Sequence, residues 1–180
     1  MLPNVFPTHK TQAAKEQLGA ALTKLSGFIN SKIEEMVSKS ETLRARFAPQ
    51  SNMAMERGFW DPRLADADLV MRQADEVDRY FQEQPLLAEY PLFRAEIAGT
   101  LPPPIEQQTR LNNFKEAVRS YRDFLSLMKA TEGYENNAPL VQTTPFIFAP
   151  IYKNLTKANS DLRDWITDCN RRIDMMMRAL

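Results

Sequence analysis

TQAAKEQLGAALTKLSGFINSKIEEMVSKSETLRARF, residues 11–47, contains no proline and carries an unbroken apolar stripe. Leu22, Ile29, Met36 and Leu43 recur every seven residues, and Leu18, Leu25, Ile33 and Phe47 fill the same side. This is the pattern of a helix sustained for roughly ten turns, about 55 Å long at 1.5 Å per residue. Such a helix is longer than a domain of 180 residues is wide. It is therefore either a packing spine for other helices or a strut that reaches a partner. Thr8 or Thr11 can cap its start, Gly27 is the expected place for a bend, and Pro49 ends it by forcing the preceding residue out of helical geometry.

The rest of the chain repeats the pattern. Asp61-Pro62 opens a second helix with the stripe Ala67, Val70, Ala74, Val77 and Phe81. A short helix is expected from about Pro91 to Ala98, stopped by Gly99. Thr100-Leu101-Pro102-Pro103-Pro104 is a stiff joint between two helical halves of one domain. A helix from Pro104 to about Thr131 carries Leu111, Phe114, Val118, Tyr121, Leu125 and Met128. Residues 134–144 read as a loop. A last helix from about Pro150 to Arg178 carries Leu155, Leu162, Trp165, Cys169 and Ile173. No segment alternates as a strand would. The fold class is all-α: an elongated helical bundle with long N- and C-terminal helices and shallow crossings.

Composition excludes several functions. Acids and bases balance at 23 each, so the basic surplus of a general nucleic-acid binder is missing. No apolar run reaches the length of a membrane-spanning helix. The N-terminus MLPNVFPTHK reads as an extended arm, with neither the apolar core of a secretory signal nor the Arg-rich look of an organellar presequence. Cys169 is the single cysteine, which rules out an internal disulfide and fits a reducing compartment. His9 is the single histidine, which rules out a ferritin-like di-iron site. The five glycines are isolated, so no phosphate-binding loop can be assembled. The expectation is a protein without catalytic, cofactor or metal site.

The candidate functional residues are partner contacts. Met53, Met55, Phe59 and Trp60 make the loop after the first helix sticky rather than purely solvated. Asp75, Glu76 and Asp78 belong to an acidic helix, seven acids against three bases over 61–83, suited to a basic neighbour. Met175, Met176 and Met177 point in three directions, so at most one or two enter a core, leaving Met175 and Met177 as soft contact residues.

Glu41-Thr42-Leu43-Arg44-Ala45-Arg46-Phe47-Ala48, then a short loop and Trp60, resembles subunit d of the mitochondrial ATP synthase peripheral stalk. Val77-Asp78-Arg79-Tyr80-Phe81 is similar to the aromatic segment that follows in that family. The chain departs from the family in having Phe59 where an aspartate usually precedes the tryptophan, and in a longer interval to Val77. The resemblance implies a non-catalytic stator subunit on the matrix side of the mitochondrial inner membrane, binding other subunits through helix–helix contacts. The residues alone fit a broader statement, a structural or scaffolding subunit of a large assembly. A virion or secretion-machine component, an effector-like binding protein, or an enzyme with an unrecognised site stay open beside it.

Overall fold

In the computed structural model, residues 11–46, 58–130 and 138–180 are described, with backbone alone for 138–147. The first rod consists of α1 (Gln12–Phe28), a π-helical segment (Ile29–Ile33) and α2 (Glu34–Ala45), which follow one another without a break. Then come α3 (Asp61–Glu83), α4 (Pro85–Glu89), a 3-10 turn (Pro91–Phe93), α5 (Arg94–Gly99), α6 (Pro104–Lys129) and α7 (Ala138–Arg178). The fold is an all-α helical bundle, with no strand among the described residues.

Four long rods pack in a ring: α1–α2 beside α3, α3 beside α6, α6 beside α7, and α7 back against α2. Pairings along two of these seams show that the rods there run antiparallel. Asp61 meets Lys129, Asp68 meets Arg122 and Asp75 meets Lys115 between α3 and α6. Asn30 meets Asn170 and Ser40 meets Asn159 between the first rod and α7. The apolar stripes all turn inward. Leu22, Ile29, Met36 and Leu43 are buried together with Val70, Phe114, Leu125, Leu162 and Trp165 in one continuous core. The Pro102–Pro104 joint therefore connects helices that share a core.

Thr11 is the N-cap of α1, its Oγ1 accepting from the Ala14 amide at 3.1 Å. The first rod is widened just after Gly27. There the Glu34 amide reaches back five residues to the Ile29 carbonyl, the mark of a π turn. The side chains of Asn30 and Ser31 donate to the Ser26 and Gly27 carbonyls at 2.9 and 2.6 Å. The reason is legible in the spacing. Leu25, Ile29, Ile33 and Val37 are all buried and lie four apart, more than the 3.6 residues of an α turn. Local under-winding keeps all four on the inner face.

Two expectations need correction. α7 begins at Ala138 instead of Pro150, so residues 138–144, expected as loop, are helical and Pro145 and Pro150 lie inside a helix of 41 residues. Each proline removes one intrahelical hydrogen bond. Packing offsets this at Phe148, which is buried with its ring 5.4 Å from Tyr121 and 5.2 Å from Phe124. Secondly, the connection from α3 to α6 is more than one short helix. Gln84 adopts the left-handed conformation (φ 49°), and α4, the 3-10 turn and α5 follow as a strap across one end of the bundle.

Candidate functional site

The strap closes the end of the bundle where α1 and α6 begin and α3 and α7 finish. It is pinned on two sides. Lys24 of α1 forms an ion pair with Glu89 and sits over the Tyr90 ring at 5.3 Å. Glu89, then Tyr90, raise the pKa of the Lys24 ammonium above its ordinary value. On the far side, Arg172 of α7 donates to the Leu101 carbonyl at 3.3 Å. Phe93 and Ile97 anchor the strap in the core.

Under the strap lies a cavity of about 170 Å³. Its floor is aromatic: Tyr80 stacks on Phe28 at 3.6 Å, and Phe81 contacts Trp165 at 5.3 Å. Its walls come from Leu25, Leu86, Ile97, Leu101 and Leu111. The exposed residues Gln82, Gln84, Ala98 and Pro104 form the rim, so the cavity opens to the surface. No charged residue lines it. Gln107 does, and it is only 8% exposed. Its side-chain amide makes no hydrogen bond among the described residues, whereas neighbouring Gln108 donates to Asn112 at 2.9 Å. Beside the rim Ile105 is 84% exposed, and Leu92 on the strap is 69% exposed.

The residues expected from the sequence to meet partners fall in separate places. Met53 and Met55 lie outside the described residues, as does His9. Trp60 is fully buried, and Phe59 is half-buried against it with ring centroids 4.8 Å apart. The Arg63 guanidinium covers the Phe59 face at 3.9 Å. Trp60 is thus a core residue of this chain, its ring enclosed by the chain itself and offering no surface to a partner. Asp75 and Asp78 are held by Lys115 at 2.9 and 3.1 Å, which ties much of the acidic face to α6; Glu76 is exposed. Met175 and Met177 are exposed near the end of α7, while Met176 packs on the core. Met175 and Met177 therefore share the strapped end with the cavity, and Trp60 lies at the opposite end.

Among the described residues no group of three or more histidine, cysteine or acidic side chains could hold a metal ion. Cys169 is buried, and that burial pushes its thiol up to about 12. Tyr121 is buried too, raised by desolvation, and donates to the Leu43 carbonyl at 3.0 Å. No helix among the described residues is long and apolar enough to cross a membrane.

The cavity, Gln107 and the strap have no simple sequence signature. Pro85 opening a helix after Gln84, and Gln107 among apolar neighbours, are the only local hints. Comparison of the chain with family models, with curated protein sequences and with solved structures gives no match.

Proposed function

We propose that this chain is a non-catalytic structural subunit that docks end-on to other polypeptides of a larger assembly. One observation carries the reading. Among the described residues, four of the six large apolar side chains that stand exposed, Leu92, Ile105, Met175 and Met177, lie on elements at the strapped end, while Leu127 and Tyr152 lie toward the other. Apolar surface grouped in this way favours contact with another protein over solvent. The flanks carry ion pairs such as Asp68–Arg122 and Asp75–Lys115. A long bundle with ion-paired flanks and exposed apolar residues at one end suits a strut that docks through that end. Helix-on-helix docking is the mechanism, with rigid rods transmitting position or load. The peripheral-stalk stator implied by the sequence resemblance is one specific form of this proposal.

The test is affinity purification of the tagged chain from its native source, with co-purifying chains identified by mass. A fixed set of partners at constant stoichiometry is the expected result. ATP synthase subunits in that set would support the specific stator form, and a different set would leave only the general one. A lone monomer would overturn both.

A further inference from the structure

The cavity under the strap has a definite chemistry. About 170 Å³ is the size of one aromatic ring with a small substituent, since an engineered apolar cavity of about 150 Å³ accepts benzene. With no charged lining residue it favours a neutral guest. Yet Gln107, more than nine-tenths buried in its wall, presents a donor and an acceptor that no described residue satisfies. In the empty cavity water can serve that amide. A guest that displaces the water must replace its hydrogen bond or lose affinity. A phenol ring does so, filling the apolar space and carrying a hydroxyl to the amide; a plain hydrocarbon does not.

We infer that this cavity receives the side chain of a tyrosine presented by a partner polypeptide. The polypeptide source is argued from the mouth. Ile105 stands 84% exposed next to Pro104 at the rim, an apolar surface that a free phenol inside the cavity would leave uncovered. The exposed amides of Gln82 and Gln84 at the same rim can meet a peptide backbone lying across it. An aromatic anchor in a desolvated pocket, surrounded by such contacts, is the usual core of a protein interface. This inference rests on the docking role proposed above and names the anchor it would use.

The first arm of the test is a methyl NMR titration of the whole chain with p-cresol, the tyrosine side chain as a free molecule, and with toluene, which lacks the hydroxyl. p-Cresol should shift the methyls of Leu86, Ile97 and Leu111 and bind about three- to tenfold more tightly than toluene, the worth of one neutral hydrogen bond. Gln107→Leu should erase or reverse that preference, with its melting curve showing that the variant is folded. Equal binding of the two probes, or unmoved methyls with p-cresol, would overturn the inference. The second arm uses Ala98→Trp, a change at the exposed rim that closes the mouth without entering the core. It should abolish p-cresol binding and release the partner chain found with the native protein. If partner recovery were unchanged although p-cresol binding was lost, the tyrosine anchor would be refuted while the docking role stood. If no partner existed at all, selective p-cresol binding would mark a site for a free phenol, again refuting the polypeptide source.

Discussion

The middle of the bundle and its strapped end are built from the same chain under different rules. In the middle, four amphipathic rods face one another, and side chains at three-four spacing interdigitate. Phe114, Val118 and Leu162 have no exposed surface there, and Ser40 donates to Asn159 at 2.7 Å across the buried seam. At the strapped end one wall is a chain of short helices punctuated by Pro85, Pro91 and Pro102. Short helices broken by prolines do not present the regular ridges of a long helix, and space of about 170 Å³ is left. Filled packing specifies a fold, and a gap in it leaves room for something else to bind.

The sharpest way to break this contrast is truncation on either side of it. Phe114→Ala in the filled middle should lower stability by about 3–5 kcal/mol, because a cavity opens where neighbours cannot collapse. Leu87→Ala, at the edge of the strap cavity, should cost less than about 1 kcal/mol. Chemical denaturation of both variants checks the difference. Similar losses would mean that the two regions are equally well packed.

Alkaline titration probes the filled region next. Cys169 ionises near 9 in the unfolded chain and near 12 when folded. The folded state therefore holds an extra proton between those values. The associated stability is complete below pH 9 and disappears as pH rises toward 12. Tyr121, also raised by burial, adds in the same direction. Melting temperature should fall through this range, and the thiol should resist a disulfide reagent at pH 8 until the protein unfolds. Rapid labelling of the native protein would contradict the burial.

Arg163 gives a smaller effect at the surface of the same seam. It bridges Glu34 and Glu41 and donates to Ser38 at 3.0 Å. Partly exposed, this network should contribute on the order of 1 kcal/mol, read as the loss in Arg163→Ala. Arg163 also holds the Glu34 carboxyl below its ordinary pKa of 4.5. That contribution is present above pH 4.5 and lost as pH falls through the lower folded value. The variant should therefore lose part of its acid sensitivity as well as stability.

The smallest effect belongs to the strap. Gln84 holds a left-handed conformation that costs a non-glycine residue about 1 kcal/mol. Gln84→Gly should be neutral or slightly stabilising, since the gain offsets the greater freedom of glycine when unfolded. A clear loss in melting temperature would show that the Gln84 side chain holds the strap in place.

How far the sequence foretold this molecule follows the same division. Leu22, Ile29, Met36 and Leu43 were legible as core because a repeated apolar spacing has one inexpensive solution, burial on a common face. Asp61-Pro62 and Pro104 marked the starts of α3 and α6 through local chemistry. The start of α7 was not legible, since Pro145 and Pro150 argue locally against helix and the packing of Phe148 argues for it only once α6 is in place. Trp60 was ambiguous for a related reason: a large aromatic after an apolar loop fits a core or an interface equally well, and tertiary placement decides. The cavity depends on what side chains fail to fill, and no one-dimensional pattern records that.

The π turn in the first rod implies an unusual tolerance to change in length. It is equivalent to an α-helix with one residue too many, accommodated by widening between Ile29 and Ile33. Lys32 is exposed in that segment. Removing it would change the buried spacing from four-four to the four-three rhythm of ordinary α winding. Both flanks would then keep their facing, although one residue had been lost. A single deletion elsewhere in the rod, for instance at Ala20, would instead turn every later side chain by about 100°. The π turn is therefore the place in this helix where one codon could be lost without loss of register.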